Sequence, residues 1–224
     1  MRNLFYFFTK VNYKEVISLG YNCEVSFYIR KFCNKLNSSL FSWAYVFGIE
    51  SLLKALNDLD NLFTKNISEP APLYKDKDFN IAFHGNLPDL DLINPEIKFS
   101  DEVLEADRKN TFEKIAYLKE KFKKVLSNNK RKIIFYKTRY DDIDKKDCFH
   151  KLYDILKKYG KNFKLIIIVE NKDLEPLKNL EKENLFFRGV EQFNPEEHSD
   201  NDTYKNDWFK IFQEFNIKRG KNNE

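Results

Sequence analysis

The sequence has few cysteines, the residues that cross-link small or secreted domains. Only three cysteines occur, Cys23, Cys33 and Cys148, and their number and spacing fit neither a disulfide framework nor a structural zinc site. Free thiols are typical of a reducing compartment, so we expect a cytoplasmic protein. There is also no internal repeat and no low-complexity segment.

Long apolar runs are missing too. The N-terminal stretch MRNLFYFFTK contains an apolar run from Leu4 to Phe8, which is too short for the core of a signal peptide or for a membrane span. We interpret it as an extra strand or a peripheral apolar hook, and we expect no transmembrane segment. Since G-x-G-x-x-G, Walker and C-x-x-C patterns are absent, the sequence gives no reason to expect a cofactor or a metal.

The charges nearly balance, with 39 basic and 35 acidic residues and a net charge of +4. Proteins dedicated to nucleic acids usually concentrate positive charge, so we expect no nucleic-acid partner. A hydrophobic content of 42% with 33% charged residues indicates a globular chain. We expect a single domain over residues 1–216, followed by a polar tail over residues 217–224, and the sequence leaves the oligomeric state open.

Apolar runs alternate with amphipathic segments along the chain. The runs Val16–Leu19, Lys132–Tyr136 and Phe163–Val169 predict strands that neighbour one another in a parallel sheet, because they are apolar throughout. Shorter strands are predicted at 79–83 and 185–189, and segments 64–80 and 86–100 are predicted to be loops. The alternation predicts a three-layer α/β fold, with a mostly parallel sheet flanked by helices, Rossmann-like or SGNH-like in type.

The stretch VISLGYNCEVSFYIR predicts a strand, a tight turn at Gly20 and a helix. Cys23 falls near the first helical turn, where backbone N–H groups and the helix dipole lower a thiol pKa, so we expect a reactive thiolate. The alternative is a structural cysteine packed under the sheet, since free cysteine is among the most buried residue types.

Ligands of open parallel sheets bind outside the carboxyl ends of the strands. The residues predicted at these ends include a potential nucleophile, a histidine, amides and cations, which are Tyr21, Asn22, Cys23, His84, Asn86, Lys137 and Arg139. Lys137 and Arg139 could bind a phosphate or carboxylate, or they could be solvated residues at a strand end. The aromatic residue Trp43, with Tyr45 and Phe47, is predicted to line or cover the crevice at Cys23.

The motif SLGYNC, the later aromatic stretch FSWAYVFG and the pair Phe83-His84 occur in the order and rough spacing seen in one bacterial family. The first 90 or so residues resemble this family, which has no known function and is labelled as papain-like cysteine peptidases. The resemblance implies a thiol nucleophile at Cys23 and a base at His84. Ser42 stands where the family often has Asp, so no acidic partner for the histidine is visible there.

Other residues compete for the supporting roles. His198 is the rival base, since a histidine shortly before the last helix also resembles SGNH-type hydrolases and related acyltransferases. Asp89, Asp91 and Asn86 are candidates for the group that orients the histidine. His150 lies inside a predicted helix and is expected to be structural or solvated.

The leading hypothesis is a cysteine-nucleophile hydrolase or acyltransferase, whose substrate is a small molecule or a glycan such as a surface-polysaccharide precursor. The second is a non-catalytic sugar- or nucleotide-binding module, or a transferase-like domain, with its site in the same crevice. The third is an interaction protein that uses the aromatic residues around Trp43.

Overall fold

The computed structural model describes residues 15–33, 38–68, 73–87, 99–191 and 202–217. These residues form two four-stranded sheets and five α-helices, with short 3₁₀ turns between them. In chain order the elements are β1 (Glu15–Ser18), α1 (Glu24–Cys33), β2 (Ala44–Val46), α2 (Ile49–Asn57), β3 (Ile67–Ser68), β4 (Leu73–Asp76), β5 (Ile81–His84), α3 (Asp101–Ser127), β6 (Lys132–Lys137), α4 (Lys146–Tyr159), β7 (Phe163–Glu170), β8 (Leu185–Val190) and α5 (Asp202–Glu214).

The first sheet is parallel throughout, in the order β1-β6-β7-β8. It contains the three predicted neighbouring strands, and it adds β8 as a fourth, so that prediction is confirmed. Ile133 and Phe135 of β6 pack into one core cluster, whereas Ile134 and Tyr136 pack into the other. Both faces are therefore buried, which explains the uninterrupted apolar runs in the sequence.

Helices cover both faces of the parallel sheet. On one face, α1 and α5 pack through Val25, Phe32, Trp208 and Phe212. On the other, α2, α3 and α4 share a larger cluster. The α/β class with a parallel sheet flanked by helices is thus confirmed, while a Rossmann-like or SGNH-like type remains a prediction. Among the described residues, no helix is both long and apolar enough to cross a membrane.

The second sheet is antiparallel, in the order β2-β5-β4-β3, and the sequence did not predict it. Residues 64–80, predicted to be a loop, contain the whole of β3 and β4, so that prediction is wrong. The strands are only two to four residues long, and prolines and charged residues surround them, which hides a strand pattern in the sequence. Their stability comes from packing one face of the sheet against the core.

That inner face carries Ala44, Val46, Tyr74, Ile81 and Phe83, all of which belong to the larger core cluster. Side chains alternate between the two faces of a sheet, so the residues between these positions lie on the outer face. The half-buried side chains of Tyr45 and Lys75 lie on this outer face.

Candidate functional site

The turn between β1 and α1 places Cys23 at the start of the helix, as the sequence predicts. The Leu19 N–H donates to the Phe135 carbonyl over 2.9 Å, which holds the chain against the next parallel strand. Gly20 follows with φ of +94°, and a Cβ there would lie 2.6 Å from Val46 Cγ2, so only glycine fits. The Asn22 side chain accepts a hydrogen bond from the Glu24 N–H over 3.0 Å, which caps the helix beside an exposed Cys23.

The electrostatic surroundings of Cys23 differ from the prediction. Partial burial of the thiol raises its pKa, the local backbone N–H lowers it by a smaller amount, and the Glu24 carboxylate raises it further. The predicted lowering by the helix dipole is therefore wrong in its net direction. The residue is exposed as a whole, yet desolvation around its sulfur raises the pKa by more than the N–H groups at the helix start lower it. A thiol in this state is protonated at neutral pH and needs a base to become a nucleophile.

A buried ion pair lies directly behind this turn. Glu24 Oε2 and Lys137 Nζ are in contact, with side-chain exposures of 2% and 7%. Burial raises the pKa of the Glu24 carboxyl group, and the Lys137 charge opposes that rise. The pair joins the start of α1 to the carboxyl end of β6, a role that we did not predict for either residue. The predicted contact of Lys137 with a substrate stays a prediction.

The outer face of the antiparallel sheet brings His84 onto one surface with aromatic residues. Tyr45 of β2 and Lys75 of β4 are both paired with Ala82 of β5, and directly opposite residues point to the same face. His84 is two residues after Ala82 in the same strand and therefore lies on that face, where it is exposed. Trp43 directly precedes β2 and is half-buried.

Two contacts join this face to the segment that carries Cys23. The Tyr21 and Tyr45 rings meet edge-on with centroids 5.3 Å apart, and the Val46 N–H donates to the Tyr21 carbonyl over 2.9 Å. Farther along α1, the Arg30 guanidinium lies 5.2 Å from the centre of the Trp43 ring. Seven residues separate Arg30 from Cys23, or about two helical turns, so the two share one side of α1.

We refer to the residues of this sheet face and of the adjoining turn and helix as the Cys23 surface, which consists of Tyr21, Cys23, Arg30, Trp43, Tyr45, Phe47, Lys75, His84 and Arg139. Tyr45 and Phe47, with ring centroids 4.6 Å apart, belong to it and lie outside the buried core. That the aromatic stretch lines or covers a crevice at Cys23 stays a prediction. Arg139 joins through its guanidinium, which lies 5.8 Å from the centre of the Tyr21 ring.

The expected relation between Cys23 and His84 needs a correction. The sequence analysis placed both at the carboxyl ends of strands in one parallel sheet, but β1 and β5 belong to different sheets. The antiparallel sheet delivers His84 from the side instead. Among the described residues, no hydrogen bond joins the Cys23 thiol to a histidine, and His150 is bonded to the Leu180 carbonyl over 3.2 Å, consistent with a structural role.

A buried carboxylate holds the turn that follows His84. Asp107 of α3 accepts hydrogen bonds from the Tyr74 hydroxyl and the Asn86 N–H, each over 2.8 Å. A Cβ on Gly85 would lie 2.4 Å from Asp107 Oδ2, so the turn approaches this carboxylate as closely as glycine allows. The sequence analysis did not identify Asp107. The signal was its position, because it is an acidic residue on the core-facing side of α3, together with Thr111 and Ile115.

A second buried carboxylate organises the exit of β6. Asp142 accepts hydrogen bonds from the Tyr136 hydroxyl over 2.6 Å, the Arg139 N–H over 2.9 Å and the Ile49 N–H over 2.8 Å. This network fixes the backbone of Arg139, whose side chain also pairs with Asp141 at 3.1 Å. Arg139 therefore has a defined position beside Tyr21.

Some predicted residues lie outside the described ranges. These are His198, the rival base, and Asp89 and Asp91, candidates for the group that orients the histidine. Within the described ranges, no group of three or more His, Cys, Asp or Glu side chains could hold a metal ion. Asn86, the third candidate for the group that orients the histidine, donates its backbone N–H to Asp107.

No protein-family model, curated protein or solved structure matches this chain. The resemblance to the papain-like family therefore stays a prediction that rests on the motifs themselves.

Proposed function

We propose that the protein is a cysteine-nucleophile hydrolase or acyltransferase, with Cys23 as the nucleophile and His84 as the general base. The observation that carries this proposal is the Tyr21–Tyr45 contact of 5.3 Å, which connects the Cys23 turn to the sheet face on which His84 is exposed. A nucleophile and a base on one accessible surface are the minimum that thiol catalysis requires.

The reaction begins when His84 takes the proton of the Cys23 thiol and the sulfur attacks the carbonyl carbon of an ester or amide. The new sulfur–carbon bond gives a tetrahedral oxyanion, which N–H groups at the start of α1 can stabilise. The bond to the leaving group then breaks, and His84 returns the proton to that group. Water or an acceptor hydroxyl next attacks the thioester and releases the thiol.

The raised pKa of Cys23 supports this division of roles. A thiol that is protonated at neutral pH gains little from the helix terminus alone, so the base becomes essential. This differs from the low-pKa thiolate that we expected from sequence, and it makes the loss of His84 more severe. If substitution of His84 leaves the rate unchanged, His198 is the next candidate for the general base.

The substrate in this proposal is a small molecule or a glycan derivative, including a precursor of a surface polysaccharide. The half-buried aromatic rings of Tyr45 and Phe47 suit the ring or acyl portion of such a molecule, since small-molecule sites combine apolar walls with a few polar groups.

The direct test is acylation of the intact protein by p-nitrophenyl acetate, followed by mass spectrometry of the cysteine-containing peptides. We expect an acetyl group on Cys23, and a fall in turnover by orders of magnitude in Cys23→Ala with the fold retained. His84→Asn should lower the acylation rate by about 100-fold or more, since general-base catalysis commonly contributes that much.

Cys148→Ala and His150→Asn are the matched controls, because each removes the same chemical group from another place in the protein. Acylation that is equally slow at Cys23 and Cys148, with no effect of His84→Asn or of substitution at His198, would contradict the proposal.

A binding module without catalysis is the second candidate, and the observation that favours it is that no hydrogen bond joins the Cys23 thiol to a histidine among the described residues. In that case Cys23→Ala leaves ligand affinity unchanged, and no acyl-enzyme forms with any ester. Calorimetry with sugars and nucleotides on the wild type and on Cys23→Ala separates the two functions.

A further inference from the structure

Three cations lie along the Cys23 surface, and each is placed over an aromatic ring. Arg30 lies 5.2 Å from the centre of the Trp43 ring, Lys75 lies 4.2 Å from Phe47, and Arg139 lies 5.8 Å from Tyr21. A cation above a ring is attracted by the ring's quadrupole, which holds it in place without neutralising its charge. The three positions are therefore fixed positive charges.

The acidic residues nearby offset only one of these three charges, that of Arg139. Asp141 pairs with Arg139 at 3.1 Å, while Glu24 is buried against Lys137 and forms a neutral unit with it. Among the described residues, no carboxylate forms an ion pair with Arg30 or with Lys75. The surface around Cys23 and His84 thus has an excess of positive charge, although the chain as a whole is nearly balanced, with 39 basic and 35 acidic residues.

The aromatic residues connect the cations into one surface. The Tyr21, Tyr45 and Phe47 rings follow one another at 5.3 and 4.6 Å, so Arg139 stands at one end of the row and Lys75 at the other. A ligand that lies on this row meets a positive charge at either end, and Cys23 follows Tyr21 by two residues in the chain.

We propose that the Cys23 surface selects an anionic substrate, an acyl compound that carries a carboxylate or a phosphate group, and this inference rests on the function proposed above. Arg139 binds the charged group through its guanidinium donors, because a planar fork matches a carboxylate or phosphate. Lys75 and Arg30 attract the anion and orient it along the row of rings.

The test uses two alkylating agents of similar size, anionic iodoacetate and neutral iodoacetamide. In both reactions the Cys23 thiol loses its proton to the buffer, the sulfur forms a bond to carbon and iodide leaves, so only the charge of the reagent differs. A unit charge about 10 Å away changes the local concentration of an anion by about twofold in water. Relative to free cysteine, we expect the iodoacetate-to-iodoacetamide rate ratio at Cys23 to be higher by about threefold or more at low salt.

Substitutions locate the source of this preference. Arg139→Gln and Lys75→Gln should each lower the ratio by about twofold, and 1 M salt should abolish it because the Debye length is then about 3 Å. Arg131→Gln is the matched control for Arg139, since Arg131 lies exposed just before the other end of β6. Lys161→Gln, exposed just before β7, is the control for Lys75.

The results separate this inference from the proposed function, because both reagents react with the same Cys23 thiolate. Their rate ratio does not depend on how the thiol loses its proton, and alkylation needs no substrate. A ratio equal to that of free cysteine, or one that Arg139→Gln and Lys75→Gln leave unchanged, overturns the anionic preference even if Cys23 forms an acyl-enzyme. A high ratio that falls in both variants supports it. If that ratio is found without any acyl-enzyme, the anionic preference stands and catalysis by Cys23 does not.

Discussion

The two sheets of this protein contribute to the candidate site in different ways. The parallel sheet is buried on both faces, so it offers reactive groups only where its strands end, as at Tyr21 to Cys23 and at Arg139. The antiparallel sheet has one face in the core, and its other face carries exposed or half-buried residues such as Tyr45, Lys75 and His84. A site made from a strand end and a sheet face needs both kinds of sheet.

The two halves also use buried charge differently. Behind Cys23 an ion pair joins Glu24 to Lys137, whereas behind His84 a single carboxylate, Asp107, is satisfied by a hydroxyl and an N–H. The stability that an ion pair contributes depends on both partners remaining charged. The stability that a hydrogen-bonded carboxylate contributes depends on the positions of its donors. Substitutions in the two halves should therefore have effects of different size and different pH dependence.

The largest effect is expected from Lys137→Met, which breaks the buried ion pair. Removing one partner leaves the Glu24 carboxylate buried without its cation, which costs about 3 kcal/mol or more near neutral pH. Lys137 opposes the rise in the Glu24 pKa, so that pKa rises further in the variant. The stability of the variant is therefore lost as pH rises through this pKa and recovers as Glu24 takes up a proton in acid.

Urea denaturation at pH 5 and pH 7 measures this difference. Glu24→Gln combined with Lys137→Met should restore most of the lost stability, because no buried charge remains. The control is Glu15→Gln. It breaks the pair between Glu15 and Lys130, which is more exposed than the pair between Glu24 and Lys137. It should change the unfolding free energy by under about 1 kcal/mol. Equal losses at both pH values would contradict the account of the ion pair.

A smaller effect is expected from alanine at the two glycines that shape the turns. At Gly20 the added Cβ lies 2.6 Å from Val46 Cγ2, and the φ of +94° adds backbone strain, so Gly20→Ala should cost about 2–3 kcal/mol. At Gly85 the Cβ lies 2.4 Å from a carboxylate oxygen at ordinary φ, and we expect about 1–2 kcal/mol. Thermal unfolding of both variants measures the order, and a larger loss at Gly85 would show that the Cys23 turn is the more adaptable one.

The smallest effect on stability is expected from Asp107→Asn. The amide keeps one oxygen to accept a hydrogen bond but replaces the other with a donor, so one of the two bonds to Tyr74 and Asn86 is lost, at about 1 kcal/mol. Glu113→Gln, at an exposed position on the same helix, is the control and should be neutral. Hydrogen exchange at the Asn86 N–H should increase in Asp107→Asn alone, and unchanged exchange would show that the turn does not depend on this carboxylate.

The sequence predicted the part of the fold whose signal is local. The apolar runs at β1, β6 and β7 are uniform because both faces of their sheet are buried, so their type and adjacency could be predicted. The strands β2 to β5 are short, and their alternation is visible only once the core supplies an inner face. Sequence therefore placed His84 just past a strand end but assigned that strand to the wrong sheet.

For the site, composition and spacing identified Cys23, His84 and Arg139, yet they missed Glu24, Asp107 and Asp142. Glu24 and Asp107 contact partners that lie 21 or more residues away in the chain. Asp142 accepts hydrogen bonds from a hydroxyl and from backbone N–H groups in two separate parts of the chain. Such pairings depend on tertiary contacts. The pKa of Cys23 was predicted in the wrong direction because desolvation is also a tertiary effect, whereas the helix terminus is a local one.

The central claim, that His84 activates the Cys23 thiol, is tested most directly by single-turnover acylation of Cys23 with p-nitrophenyl acetate as a function of pH. Because burial raises the pKa of the thiol, an unassisted Cys23 becomes reactive only in alkaline solution. The account predicts that the wild type reaches its maximal rate at a lower pH than His84→Asn, whose rate follows ionisation of the thiol alone. Identical pH profiles for the two proteins would contradict it.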